Sequence, residues 1–236
     1  MANSYPGIGG ALRSLPFDAA TDPRKGFYVA DDFIGAITGG MGWTLTGTGG
    51  TATFPAAEAD APGIVRLTGA TTGFAAGLSL ANFPFKASAV GQLYMACRFR
   101  IPTALTNREV RVGFASVAPT TAQPDFGVWL EYDAAVDADD WQVGSDDGTT
   151  DVQLVAGANV PTPVFGQWYT AEVLLTTTDA KVYLDGLLVH QTPITAVTTA
   201  ALSPFVYTGD GTNASTLDVD YITVKGIHAR AGFVAV

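Results

Sequence analysis

A single cysteine, two histidines, four lysines and four glutamates stand in a chain of 236 residues. One cysteine excludes an intrachain disulfide framework. Cys97 alternates with Leu93, Met95, Phe99 and Ile101 along one apolar row, which makes it a core thiol and not a nucleophile. His190 and His228 lack a neighbouring Cys, His or Glu at metal-ligand spacing and lack a Ser or Cys motif, so neither zinc nor a nucleophilic triad is expected. The scarcity of lysine and a net charge of −10 exclude the clustered cations that a phosphate backbone needs, and no nucleic-acid partner is expected. Gly39-Gly40 and Gly47-Thr48-Gly49-Gly50 lack a P-loop lysine and read as turns. The opening residues carry no basic stretch followed by an apolar core, and no apolar run is long enough to span a bilayer. Synthesis in a cytoplasm and no membrane partner are therefore expected.

What the chain has is core and turn. Hydrophobic residues at 47% suffice for a substantial interior, and 27 glycines with 13 prolines punctuate short segments too often for helices. Strands are expected around residues 27–33, 43–46, 51–54, 64–68 and 74–80, then 93–101, 108–114 and 126–132. In the last three, apolar residues alternate with charged or polar ones. Val110, Val112 and Phe114 oppose Glu109 and Arg111; Phe126, Val128, Leu130 and Tyr132 oppose Trp129, Glu131 and Asp133. No linker divides the middle, so one domain is expected, over residues 27–225. Residues 1–26 read as an extended arm and 226–236 as a short tail.

Residues 166–189 hold three strands and two turns: Gly166-Gln167-Trp168-Tyr169 opens the first, Thr176-Thr177-Thr178-Asp179 turns the chain, and Val182-Tyr183-Leu184-Asp185-Gly186 leads into a two-residue hairpin. With the closing Leu217-Asp218-Val219-Asp220-Tyr221-Ile222-Thr223-Val224, this stretch resembles the concanavalin A-like lectin/glucanase sandwich, including its laminin-G-like members. The resemblance implies an all-β fold: a two-sheet antiparallel jelly-roll sandwich. It leaves function open, because that fold hosts lectins, glycosidases, adhesion modules and viral structural proteins. The family's glycosidases carry an E-x-D-x-x-E strand. Here the nearest match is Glu131-Tyr132-Asp133-Ala134-Ala135-Val136, with valine where the acid/base would stand, so catalysis is not expected.

Three sites are open. If the strands are neighbours, Trp129 with Glu131, Asp133, Arg98, Arg100 and Arg111 forms either an aromatic platform for a glycan or a cross-strand ion-pair face. Asp137, Asp139, Asp140, Asp146 and Asp147 offer oxygen ligands to calcium, or form a solvated acidic loop; no other cofactor is expected. Ile8, Leu12, Leu15 and Phe17 in the arm, with Ile227 and Phe233 in the tail, are apolar enough to touch a partner or to pack back on the sandwich. Poor in cysteine and lysine and rich in Gly, Ala and Thr, with apolar arms at both ends, the chain is similar in style to phage virion proteins. The expectation is a non-enzymatic virion structural protein, a capsid decoration or related head or tail surface protein that contacts itself and a shell. A carbohydrate-binding adhesin is the alternative, and a glycoside hydrolase the third.

Overall fold

The computed structural model describes residues 26–33, 42–47, 49–54, 63–69, 75–80, 85–86, 91–102, 109–116, 126–134, 140–148, 151–155, 160–193, 200–209 and 215–227. In chain order the strands are β1 (Gly26–Asp31), β2 (Thr44–Thr46), β3 (Thr51–Thr53), β4 (Val65–Gly69), β5 (Ala75–Ser79), β6 (Gln92–Arg100), β7 (Glu109–Ala115) and β8 (Phe126–Asp133). They continue with β9 (Trp141–Asp147), β10 (Asp151–Val155), β11 (Trp168–Leu175), β12 (Asp179–Leu184), β13 (Leu187–Pro193), β14 (Ser203–Gly209) and β15 (Ser215–Ile227). No helix occurs among the described residues, and none there is long and apolar enough to cross a membrane.

An eight-stranded sheet runs β13-β12-β11-β6-β15-β4-β3, with β1 paired to the part of β15 that β4 does not reach. A seven-stranded sheet runs β10-β9-β8-β7-β14-β5-β2. Every pairing is antiparallel. The alternation read from the sequence decides which face is inside: Leu93, Met95, Cys97 and Phe99 of β6 meet Val110, Val112 and Phe114 of β7 and Val128, Leu130 and Tyr132 of β8, all buried. Trp141 ties the layers together. Its ring lies 5.9 Å from Phe99 and 5.2 Å from Tyr169 of one sheet, and 5.7 Å from Tyr132 of its own. Burial pushes the Cys97 thiol well above its ordinary pKa, as suits a core residue.

The β11-β12-β13 meander follows its turn chemistry. Thr176 Oγ1 accepts from the Asp179 amide at 3.0 Å and closes the first turn. At the second, Asp185 (φ 49°) and Gly186 (φ 80°) take the two left-handed positions of a type I′ hairpin, and Asp185 Oδ1 accepts the Thr170 amide at 2.7 Å.

Three strands have no counterpart in the expected set. β9 lies in the stretch read as an acidic loop and forms a hairpin with β10 just beyond it, and β14 lies at the heart of the seven-stranded sheet. At the other end of the chain, β15 continues past Val224 to Ile227, whose backbone pairs with Gln92 and Gly26; Ile227 is thus a strand residue and not part of a tail. Ile8, Leu12, Leu15, Phe17 and Phe233 lie outside the described residues.

Candidate functional site

With Val110, Val112, Leu130 and Tyr132 inside, β7 and β8 turn Glu109, Arg111, Trp129, Glu131 and Asp133 to the outer face of the seven-stranded sheet. Register sets Arg111 opposite Glu131 and Glu109 opposite Asp133. Arg111 Nε donates to Glu131 Oε1 at 3.0 Å, Trp129 Nε1 donates to Glu131 Oε2 at 2.9 Å, and Arg111 also pairs with Glu109. The guanidinium lies 5.7 Å from the Trp129 ring and 5.8 Å from that of Tyr207. The indole occupies the space that side chains at Gly144 and Gly127 would need. Burial drives the Glu109 carboxyl up to about 7, against the pull of Arg111 in the opposite direction.

This corrects the expected aromatic platform. Trp129 and Glu131 are both 0% exposed, so the indole is a packed residue with a satisfied N–H and offers no face to a sugar. Nor do the three arginines share a face. Arg98 and Arg100 belong to β6, in the other sheet from Arg111, because the chain crosses from one layer to the other between β6 and β7. There they form a cross-strand ladder. Arg98 pairs with Asp220 at 2.6 Å, while Arg100 at 2.9 Å and Arg66 at 2.6 Å converge on the buried Asp218. Both β6 guanidiniums also lie against the Trp168 ring, at 5.0 and 4.7 Å from its centre.

Those of the expected calcium ligands that the structure describes do not converge either. Asp137 and Asp139 lie outside the described residues. Asp140 precedes β9, whereas Asp146 and Asp147 end it, which separates them by roughly 20 Å of extended strand. Asp146 Oδ1 instead accepts the Gly148 amide at 2.7 Å in the β9-β10 turn. Glu109, Glu131 and Asp133 do bring oxygens within 4.8 Å of one another. Arg111 pairs with Glu109 and Glu131, and the Trp129 N–H takes the second Glu131 oxygen, so two of the three acids are already engaged within the protein.

A site that the sequence did not reveal lies on the outer face of the eight-stranded sheet: a groove of about 650 Å³, within the range of small-ligand sites. Across the strands run three registers. Tyr94, Lys225 and Tyr28 make one wall; Glu172, Ala96, Thr223 and Ala30 follow beside them; Thr170 and Tyr221 flank the far side. Ala96, Thr223 and Ala30 are small, and the trough they leave crosses the strands for about 10 Å at the usual inter-strand spacing. Trp168, Asp185, Asp31 and Asp32 complete the lining. Glu172 is 2% exposed; its Oε2 accepts the Tyr94 hydroxyl at 2.8 Å and its Oε1 has no partner. Burial raises its pKa, and the Tyr94 hydrogen bond opposes that shift. The Lys225 ammonium lies 5.4 Å from the Tyr28 ring centre and 5.6 Å from that of Tyr94, and burial lowers its pKa. One signal in the sequence marked this place: Glu172 is a lone acid between Ala171 and Val173 in an otherwise apolar strand.

No protein-family model matches the sequence, and no curated protein matches it. Solved structures do. A protein of unknown function from Shewanella oneidensis MR-1 superposes with a TM-score of 0.63 at 17% identity, over 88% of this chain and 89% of that one. The Emp47p carbohydrate recognition domain superposes at 0.61 with 16% identity, over 87% and 98% of the two chains. A glycoside hydrolase family 16 endo-glucanase from Bacteroides ovatus gives 0.59 at 10% identity, over 83% and 99%. The fold is the concanavalin A-like sandwich. At such identities the likeness is one of fold alone, and it joins carbohydrate recognition domains to enzymes, among them an alginate lyase and a sialidase. The Emp46p carbohydrate recognition domain has been solved in potassium-bound and metal-free forms.

Proposed function

We propose that this chain is a carbohydrate-binding sandwich that does no chemistry on its ligand, and that the glycan lies in the groove across the eight-stranded sheet. The observation that carries this reading is the lining of the groove: an aromatic wall, Tyr28 and Tyr94, stands beside a buried carboxylate with one free oxygen and an ammonium. Sugars need that combination, with rings for their C–H faces and fixed polar groups for their hydroxyls. The fold neighbours that recognise carbohydrate are consistent with it. Against hydrolysis stands the state of the one carboxylate cluster near the expected motif, where Glu131 is buried with both oxygens already engaged. No resident metal belongs to the proposal.

A glycan array read with the wild type and with Thr223→Trp tests it. Thr223 is half-buried in the floor of the trough, and an indole there fills it. Signal from the wild type and none from a folded variant is the expected result. An array silent for both, or equal signal from both, would refute the groove as a glycan site.

A second reading, attachment to a virion as a decoration or tail surface protein, is favoured by the exposed Val164, Phe165, Leu187 and Leu188, at 46% to 59%. Large apolar residues in such exposure suit a protein partner. The two readings are compatible, since an adhesin on a virion needs both a glycan site and an anchor. Co-migration with dense particles in a gradient of producing-culture lysate would support attachment, and absence from every particle fraction would remove it.

A further inference from the structure

Two groups of opposite charge share one part of the groove without touching. Glu172 Oε1 is buried and has no donor. Lys225 sits two strands away, stacked on Tyr28 and Tyr94, with no ion pair to a described residue. Each nevertheless feels the other: Lys225 opposes the upward shift of Glu172, and Glu172 opposes the downward shift of Lys225. Ala96 pairs with both Glu172 and Thr223, and its methyl leaves open the space between the two charged groups. A buried carboxyl oxygen without a partner is unfavourable, and a donor supplied by a molecule in the groove removes that cost.

We infer that Glu172 and Lys225 together recognise a vicinal diol of a neutral pyranose, one hydroxyl donating to Glu172 Oε1 and its neighbour accepting from Lys225 Nζ. A hydroxyl both donates and accepts, so two adjacent ones present the donor and the acceptor that this pair lacks. Charge selects the class of sugar. Among the described lining residues Asp31, Asp32, Glu172 and Asp185 outnumber the cation Lys225, and Arg98 acts only at the Asp185 end, so a uronic or sialic acid, or the phosphates of a nucleotide, would meet repulsion over the part that Asp31, Asp32 and Glu172 line. A cationic amino sugar would satisfy Glu172 but set its charge against Lys225. The neutral diol answers both groups at once. Lys225 also holds the two tyrosine rings in place, so its wall is pre-formed.

This inference rests on the carbohydrate reading of the groove, and the test separates the two. The strongest neutral oligosaccharide from the array is titrated against the wild type, Glu172→Gln, Lys225→Met and Thr223→Trp, and its mono-O-methyl ethers against the wild type. Glu172→Gln keeps the shape and an acceptor for Tyr94, and Lys225→Met keeps the aliphatic stem between the rings. Each is expected to weaken binding about 10-fold or more with little change in melting temperature, as loss of a charged hydrogen bond does. Methylation of the hydroxyl that donates to Glu172 is expected to match that loss, since an ether oxygen accepts but cannot donate, and acidic oligosaccharides are expected to bind more weakly than neutral ones. Binding of both variants within about twofold of the wild type, with Thr223→Trp still inactive, would overturn the diol assignment and leave the groove standing. A wild type that binds no sugar overturns both. Should Glu172→Gln fail to fold, Lys225→Met and the methyl ethers decide the question in the same way.

Discussion

At the scale of single residues, the polar side chains of this sandwich divide into those that are finished and those that are not. Trp129 belongs to the first kind. Its N–H is bonded, its ring lies over glycines, and it is fully buried, so Trp129→Ala is expected to cost about 3–5 kcal/mol in urea denaturation. Glycan binding by the surviving folded fraction is expected to be unchanged. Glu109 makes a second case. Its carboxyl, ordinarily near 4.5, is held at about 7 by burial, with Arg111 opposing and Glu131, Asp133 and Tyr207 as its other charged or hydrogen-bonding neighbours. The folded chain therefore binds this proton more tightly than the unfolded chain does. Its contribution to stability is full below about pH 4 and is lost as pH rises through 7. Melting temperatures taken between pH 5 and 8 should fall less steeply for Glu109→Gln than for the wild type. Glu172 is of the unfinished kind, and its isolation in an apolar strand was visible in the sequence. Its free oxygen was not, because that depends on Tyr94 reaching it from another strand.

At the scale of elements, the sequence made the alternating strands plain and concealed the sparsely patterned ones. β6, β7 and β8 were legible because an apolar residue recurs at every second position. β9 was not, since Gly144, Ser145, Asp146 and Asp147 have low strand propensity and the ladder to β8 and β10 overrides it. β14 hides behind Pro204, which stands at its start, opposite Phe114. The charged faces were read correctly strand by strand but summed wrongly, since consecutive β6 and β7 lie in different sheets. Turn chemistry carried more weight than propensity. Gly186→Ala, at a φ of 80°, is expected to lower stability by about 1–2 kcal/mol. Gly144→Ala drives a methyl into the Trp129 indole and is expected to cost about 1–3 kcal/mol, with a change in tryptophan fluorescence reporting the displaced ring.

At the scale of the whole molecule, both sheets contribute to one interior, in which Trp141 touches Phe99 and Tyr169 across the layers. The resemblance carried by the Trp168 and Asp185-Gly186 meander anticipated that architecture, and the solved neighbours share it. The site was beyond reach of the sequence for a physical reason. Tyr28, Tyr94, Glu172 and Lys225 come from β1, β6, β11 and β15, and only the strand order makes them adjacent. The proposed contacts run through Glu172, Lys225 and the tyrosine rings with no metal between them, so addition of EDTA is expected to leave glycan binding unaltered; a calcium requirement would place the site elsewhere. The most direct measurement is an amide NMR titration of the chain with the strongest neutral oligosaccharide from the array. Perturbations centred on Ala96, Thr170 and Thr223, with Gly113 and Gly144 unmoved, are the result this account expects. Shifts centred on Gly113 and Gly144 of the seven-stranded sheet would contradict it.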